Sequence, residues 1–208
     1  MERNNIKPTK TFINLFDIIL AGNKDDSRKA ARDVRKFLYS SHSGVDKYED
    51  IKNITNSAPD KYSKISEDWR KENFVVAVSV LYYLHGKENQ PDFLFSWLFH
   101  LLKHQNGNIR NSARRMLENE LGPLTVHIRC PEYRQSKSKS ERSDFILLNL
   151  FVGLNNLLVD LWKPNYKKYK YIGSLPTCPY KSIQMVLGSL EDDCGEEYMK
   201  LLKNKLSV

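Results

Sequence analysis

The sequence predicts an all-α protein, and three observations support this prediction. The 208-residue chain contains only 9 glycines and 8 prolines, which indicates few tight turns. Apolar residues recur at the spacing of amphipathic helices in several segments. Two segments, 12–38 and 94–121, share one pattern: an apolar helix, a short turn rich in Gly, Asn or Asp, and a charged amphipathic helix. We therefore expect a right-handed α-α superhelix of helical hairpins, followed by a helical C-terminal extension.

The second helix of each hairpin has its apolar residues on one face. In the first hairpin this face carries Ala30, Ala31, Val34, Phe37 and Leu38, and in the second it carries Ile109, Ser112, Ala113, Met116 and Leu117. Arg28 and Arg110 are placed at equivalent positions, 82 residues apart. A third hairpin is therefore expected about halfway, at Trp69-Arg70-Lys71, with a first helix over 46–58 and an apolar second helix over 66–84 that is sandwiched between neighbours.

These hairpins resemble the HEAT repeat over roughly residues 10–122. The residues that carry the resemblance are Ile109-Arg110 followed by Ala113 and Leu117, and Ser27-Arg28 followed by Ala31 and Phe37-Leu38. Gly22 and His104 replace the Asp that HEAT repeats usually have in the turn, six residues before the Arg. The resemblance implies stacked hairpins whose second helices line the concave, partner-binding side.

Beyond the hairpins, the sequence predicts a helical region that packs on the array to form one continuous domain. The two parts are 1–122 and 123–208. Gly122-Pro123 is expected to end a helix. The segments that follow are a short extended piece at 125–130, a polar loop at 131–143, a long helix at 145–162, an aromatic and basic connector at 164–176, and two helices at 179–190 and 196–206.

The sequence favours a cytoplasmic protein without a membrane partner. No targeting signal is recognisable at the N-terminus. The long apolar helix carries three asparagines and Asp160, so we expect it to be a core helix. Cys130, Cys178 and Cys194 are odd in number and form no CxxC pair, which argues against a disulfide framework.

Charge indicates the class of partner. The chain has 33 Lys and Arg against 25 Asp and Glu, a net charge of +8, which favours an acidic partner. The second helices supply the candidate anion-binding residues, which are Arg28, Arg32, Arg35, Arg70, Arg110 and Arg114. The alternative is that these side chains form only a solvated face. The function that we expect is a non-enzymatic binding module with a basic face for a protein or other acidic partner, and no cofactor.

The alternative function is nucleic-acid binding, including base excision of the kind carried out by HEAT-like alkylpurine glycosylases. Lysines alternate with tyrosines between residues 163 and 171, a pattern suited to unpaired bases. Asp160 and Trp162 are the candidate catalytic residues. A polar seam on the long helix, formed by Asn149, Gly153, Asn156 and Asp160, either faces a cleft or is simply the solvent-facing edge of the helix. His100 and His104 lack a third ligand nearby, so no metal site is expected.

Overall fold

The computed structural model describes residues 11–40, 47–132 and 136–206. These residues form ten α-helices, three short 3-10 helices and no strand, which confirms the all-α class. The chain divides into two compact units, Met1–Gly86 and Lys87–Val208. The domain boundary predicted at 122–123 lies within a helix of the second unit, and the predicted domain assignment remains a prediction.

The first unit begins with the predicted helical hairpin. Its helices are α1 (Phe12–Ala21), α2 (Lys24–Leu38), α3 (Lys47–Asn56), α4 (Ala58–Ser63), α5 (Asp68–Leu81) and a 3-10 turn (Tyr82–Leu84). The side chain of Thr11 accepts from the Asn14 amide at the start of α1, and Asn23 caps α2 in the same way. These caps fix where both helices begin, so the hairpin has the predicted bounds.

The core of the first unit is built where α2 packs between α1 and α5. Edge-to-face ring pairs join Phe12 to Phe37 at 4.8 Å and Phe16 to Phe74 at 5.7 Å between centroids. The prediction that the middle helix is sandwiched between neighbours is confirmed by α5, which packs against α1, α2, α3 and α4. The helix predicted over 46–58 is present as α3, which ends at Asn56, and Ala58 already begins the separate helix α4; Asp46 lies outside the described residues.

The second unit also begins with a predicted hairpin. Its helices are α6 (Phe95–Leu102), α7 (Gly107–Leu124), α8 (Val126–Arg129), α9 (Lys137–Leu161) and α10 (Pro179–Leu206), with 3-10 turns at Pro164–Lys168 and Ile172–Ser174. The side chain of Asn106 caps α7 by accepting from the amides of Asn108 and Ile109. Both α7 and α9 pack against α10, so the C-terminal helix completes the core of this unit.

Two predictions around residues 122–130 are wrong. Gly122-Pro123 does not end α7, which continues to Leu124. Pro123 removes only one amide donor in the last turn, and the helix persists because Leu121 and Leu124 on the same face are buried. The segment predicted to be extended forms α8, after the Thr125 hydroxyl donates to the Leu121 carbonyl at 2.7 Å.

The polar loop predicted at 131–143 is also largely helical. Residues 133–135 lie outside the described part, but α9 already begins at Lys137. Its first two turns are polar and exposed, so they lack the apolar spacing that identified the rest of the helix. An exposed ion pair between Lys137 and Glu141, four residues apart, supports this polar start.

The two C-terminal helices are confirmed, and a single residue separates them. Gly195 lies within α10 at φ +77° and ψ 163°, a conformation that is almost confined to glycine. The helical segments on either side therefore meet at a sharp bend. Leu190 before the bend and Leu202 after it are both buried.

One helix of the described residues, α9, is long and apolar enough to cross a membrane by length and composition. Only 28% of its most apolar window is buried. The buried stripe, which includes Leu147, Leu150 and Leu154, faces the core of the second unit. Phe145 and Val159 are exposed on the remaining surface of the helix.

Candidate binding surfaces

Three of the six predicted arginines form a row on the surface of α2. Arg28, Arg32 and Arg35 are exposed and follow the i, i+4, i+7 spacing that places side chains on one helix face. Among the described residues, none of the three forms an ion pair or a side-chain hydrogen bond. The opposite face of α2 is fixed in the core, so the backbone holds this arginine row in place while its charged groups remain in water.

A cluster of exposed tyrosines adjoins the end of the arginine row. Tyr39 continues the spacing of the row, four residues after Arg35, and is 70% exposed. Tyr48 and Tyr83 are also exposed. The Tyr83 side chain is hydrogen-bonded to Tyr39, and the pKa of Tyr83 is raised, first by desolvation and then by this bond. No local sequence pattern indicates this tyrosine cluster, because its members lie on three different elements.

Arg70 was predicted to face a partner, but its guanidinium is used inside the first unit. The Nη1 atom donates to the carbonyls of Ile19, Leu20 and Gly22, at 3.1, 2.6 and 3.0 Å. Nε and Nη2 bind the Glu67 carboxylate, both at 3.2 Å. Arg70 thus satisfies the open carbonyls at the C-terminus of α1, where a cation is favoured.

Arg110 has the equivalent task in the second unit and is only 3% exposed. Its Nη1 donates to the carbonyls of His104 and Gln105 after α6, and its Nε donates to the Ser182 hydroxyl. Burial lowers the pKa of this guanidinium from its ordinary value. A residue held in this way has few donors left for a partner.

The predicted equivalence of Arg28 and Arg110 is wrong by one residue. The N-cap residues Asn23 and Asn106 are 83 positions apart, so Ser27 is the counterpart of Arg110. The Ser27 hydroxyl donates to the Ile19 carbonyl at 2.9 Å, at the end of α1. The spacing of apolar residues alone did not resolve this offset, because both registers bury an alanine on the core face.

Arg114, the last of the predicted arginines, is paired within its own helix. Its Nη1 contacts the Glu118 carboxylate at 2.8 Å, and Nη2 donates to the Asn111 side chain at 3.2 Å. Ser189 donates to the same Glu118 oxygen at 3.0 Å and links this pair to α10. The sequence-predicted arginines therefore divide into an exposed row on α2 and three residues with internal partners.

A groove between α1 and α2 has the opposite charge. Its volume is about 780 Å³, and its floor includes Leu15, Ile18 and Ala30. Asp17, Asp26, Asp33 and Lys29 also line it, so carboxylates outnumber ammonium groups there. The arginine row and this groove are thus two differently charged surfaces of the same hairpin.

The lysine and tyrosine connector of the second unit folds around a shallow cavity of about 180 Å³. Tyr166 stacks on Tyr180, with centroids 4.9 Å apart and planes at 29°. Each of three lysines lies over an aromatic ring: Lys167 over Trp162, Lys168 over Tyr169 and Lys170 over Tyr171, at 5.5, 5.1 and 5.3 Å. The pKa of Tyr166 is raised by desolvation and by its hydrogen bond to Cys178.

The polar seam of α9 follows an exposed edge of the helix. Asn149, Asn156 and Asp160 are all exposed. Gly153 lies under the ring of Phe99, where an added Cβ would be 2.7 Å from Cε2. Trp162, the second candidate catalytic residue, is 44% exposed and lines the connector cavity, whereas Asp160 is not among its lining residues.

A cluster of polar side chains in the second unit was not predicted from the sequence. The Asp144 carboxylate contacts His127 Nε2 at 2.8 Å and accepts a 2.5 Å hydrogen bond from the Tyr198 hydroxyl. Desolvation and this bond raise the pKa of Tyr198. Burial, with the nearby Asp193 and Asp144 carboxylates, raises the pKa of the Cys194 thiol to about 12. The cluster joins α8, α9 and α10.

No metal-ligating group of three or more His, Cys, Asp or Glu side chains occurs within the described ranges. Comparison with known proteins supplies no relative: no protein-family model matches the chain, and neither the curated proteins nor the solved structures contain a match. What can be inferred about function therefore comes from the arginine row, the tyrosine cluster and the connector cavity.

Proposed function

We propose that this chain is a non-enzymatic helical binding module that presents the arginine row of α2 to a protein or other acidic partner. The observation that carries the proposal is the difference among the predicted arginines. Arg70, Arg110 and Arg114 have internal hydrogen-bond partners, whereas Arg28, Arg32 and Arg35 have none among the described residues. Exposed guanidiniums held on a rigid helix face are suited to carboxylates of a partner.

The adjoining tyrosine cluster favours a protein partner. Arginine and tyrosine are both enriched at the centres of protein interfaces, where aromatic rings supply contact area and guanidiniums supply directional bonds. Tyr39 lies on the same face as the row, and its side chain neighbours that of Tyr83. The row and the cluster together offer one continuous surface of positive charge and aromatic rings.

We also propose how the helical hairpins are stacked. A right-handed HEAT-like superhelix would place the second helices of successive hairpins on one binding side. Support comes from the helix pairs α1–α2 and α6–α7, in which Ser27 and Arg110 each donate to a carbonyl at or just after the end of the first helix. A cytoplasmic location remains a prediction that accompanies it.

A defined polyanion tests the proposal. Fluorescence anisotropy would measure the binding of labelled poly-L-glutamate to the wild type and to an Arg28→Glu/Arg32→Glu/Arg35→Glu variant. Removing and reversing three contacts should weaken binding by roughly tenfold or more, since 1.4 kcal/mol is a factor of ten. Added salt should weaken the wild-type complex in the same assay.

A matched control variant distinguishes the effect of the arginine row on binding from the effect of net charge. Arg115→Glu/Lys139→Glu/Arg142→Glu makes the same charge change at exposed residues of the second unit. This variant should bind poly-L-glutamate nearly as the wild type does. Equal loss in both variants would show that binding depends on overall charge, and the arginine row would then have no special role.

The alternative, base excision by Asp160 and Trp162, has less support. A base-excision pocket has to enclose a flipped base, but both side chains are exposed and the cavity beside Trp162 is shallow. An assay with a duplex that contains an alkylated purine would decide the point. Release of the base by the wild type, and its loss in Asp160→Asn, would establish excision in place of the binding module.

A further inference from the structure

We propose that the aromatic and lysine-rich cavity after α9 is a binding site for unpaired bases of single-stranded nucleic acid. The site lies in the second unit and shares no residue with the arginine row, so it does not depend on the function proposed above. Its walls are defined here as the connector patch, with the rings of Trp162, Tyr166, Tyr169, Tyr171 and Tyr180.

Charge in this stretch has one sign. Residues 161–190 contain no Asp or Glu, although 25 such residues occur in the 208-residue chain. The same stretch contains five lysines, and four of them are exposed: Lys163, Lys167, Lys168 and Lys170. The fifth, Lys181, donates to the carbonyls of Gly173 and Leu175 and thereby holds the connector against α10. The exposed lysines of this surface favour an anionic ligand.

The rings limit the shape of the ligand. At about 180 Å³ the cavity is smaller than the ~300–1,000 Å³ of sites that enclose a whole cofactor or drug-sized molecule. Trp162 is 44% and Tyr171 66% exposed, so both offer ring surface to solvent. The stacked Tyr166–Tyr180 pair lines the same cavity. A flat ring system fits this arrangement better than a bulky or branched group.

The lysines lie where a base and a phosphate can be bound together. Lys167, Lys168 and Lys170 each hold the ammonium group 5.1–5.5 Å from the centroid of a ring. The ammonium group covers one face of its ring, and a base that stacks on the opposite face brings its own phosphodiester near the same lysine. Proteins that bind single strands combine these two elements, aromatic stacking for the bases and positive charge along the backbone.

The absence of arginine argues against a phosphopeptide. All cations of residues 161–190 are lysines. Phosphomonoesters on peptides are usually recognised by the forked, bidentate geometry of arginine, whereas lysine acts as a point charge that can follow a flexible polyanion. Duplex nucleic acid is also disfavoured, because its bases are already stacked and paired.

Two variants test the site, one that removes aromatic rings and one that removes positive charges. Fluorescence anisotropy measures binding to labelled dT20 and to the corresponding dT20·dA20 duplex. Wild type should bind the single strand about tenfold more tightly than the duplex. Trp162→Ala/Tyr171→Ala keeps every charge and should weaken dT20 binding by roughly tenfold per ring, without changing the salt dependence. Lys167→Gln/Lys168→Gln/Lys170→Gln keeps every ring and should lower the salt slope by about 2, at ~0.7 per phosphate contact.

Matched controls remove similar groups elsewhere in the second unit. Phe145→Ala deletes another exposed ring, and Arg115→Gln/Lys139→Gln/Arg142→Gln deletes three exposed cations. Both should bind dT20 nearly as the wild type does. The single variant Tyr171→Ala, at an exposed position of the connector, repeats the test if the double variant fails to fold by circular dichroism.

Three outcomes would overturn the inference. If the wild type fails to bind dT20 even at low salt, single-stranded nucleic acid is not the ligand. If the aromatic variant binds dT20 with wild-type affinity, the rings do not contribute to binding. The third outcome is measured as binding to vesicles of phosphatidylcholine and phosphatidylserine. If the aromatic variant loses vesicle binding while its dT20 binding is unchanged, the patch binds membrane surfaces. The Arg28/Arg32/Arg35 charge-reversal variant should retain dT20 binding at the connector patch, which separates this site from the proposed function.

Discussion

The guanidinium of Arg110 donates a 2.8 Å hydrogen bond to the main-chain carbonyl of His104, six residues earlier. A second bond from the same nitrogen reaches the Gln105 carbonyl at 2.7 Å. His104 and Gln105 lie in the turn between α6 and α7, so this side chain ties the turn to the start of α7. Most of the guanidinium donors are therefore used within the second unit.

Arg110→Met should therefore destabilise the protein strongly. Methionine fills much of the same volume but leaves two partly buried carbonyls without their donor, so we expect a loss of about 1–3 kcal/mol in the free energy of unfolding. Urea titration followed by circular dichroism measures this change. Arg115→Met, at an exposed position of the same helix, should change stability by less than about 0.5 kcal/mol. Similar losses in both variants would contradict the capping role.

The bend in α10 predicts opposite effects for two glycines. Gly195→Ala should cost about 1–3 kcal/mol, because φ +77° and ψ 163° are strained for any residue with a Cβ. Beyond the adjoining backbone, no atom lies within 4 Å of that Cβ, so the cost comes from the backbone conformation. Gly188→Ala, with helical backbone and equally open space, should stabilise by roughly 0.5–1 kcal/mol. Thermal unfolding of both variants checks the sign of each change.

Cysteine reactivity should separate the three thiols. Cys194 is 5% exposed and has a pKa raised to about 12, whereas Cys130 and Cys178 are partly accessible. Because the thiolate is the reactive form, Ellman's reagent at pH 8 should label two thiols in the folded protein and three after denaturation. A Cys194→Ala variant should leave the count in the folded protein unchanged. Rapid labelling of three thiols without denaturant would contradict the burial of Cys194.

The Glu67–Arg70 pair predicts that the stability of the folded protein depends on pH in the acidic range. Hydrogen bonds from Arg70 are the main cause that lowers the pKa of Glu67 from 4.5 to about 2. The folded state therefore binds fewer protons than the unfolded state between these values, so the contribution is complete above about pH 4.5 and is lost as pH falls through about 2. Glu67→Gln should flatten the fall in melting temperature between pH 4.5 and 2. Glu88→Gln provides the control, and equal slopes in all three proteins would contradict the prediction.

The hairpins could be predicted from the sequence because their main signal, the spacing of apolar residues, lies within the segments that it defines. The cap of α2 is Asn23, two residues before the first of the acidic residues Asp25 and Asp26 that the sequence offers for this role. The uses of Arg70 and Arg110 could not be predicted, because spacing shows which helix face a side chain occupies but not which carbonyls it meets. The start of α9 was missed because the helix begins with polar residues, from Lys137 onwards, whose spacing carries no apolar signal.

The candidate sites were predictable to different degrees. The arginines of α2 and the alternation of lysine and tyrosine are visible in the sequence itself. The tyrosine cluster of Tyr39, Tyr48 and Tyr83 depends on contacts between distant parts of the chain, so no local pattern indicates it. The same holds for the His127, Asp144 and Tyr198 cluster, whose members are contributed by three helices.

The bonds from Arg70 to the end of α1 have a consequence for how the protein forms during synthesis. The donor and the carbonyls it satisfies are separated by about 50 residues, so the opening hairpin cannot complete its own hydrogen bonding as it leaves the ribosome. Those carbonyls remain hydrated until α5 has been translated. The first unit is therefore expected to fold in one cooperative step that has to await the synthesis of α5.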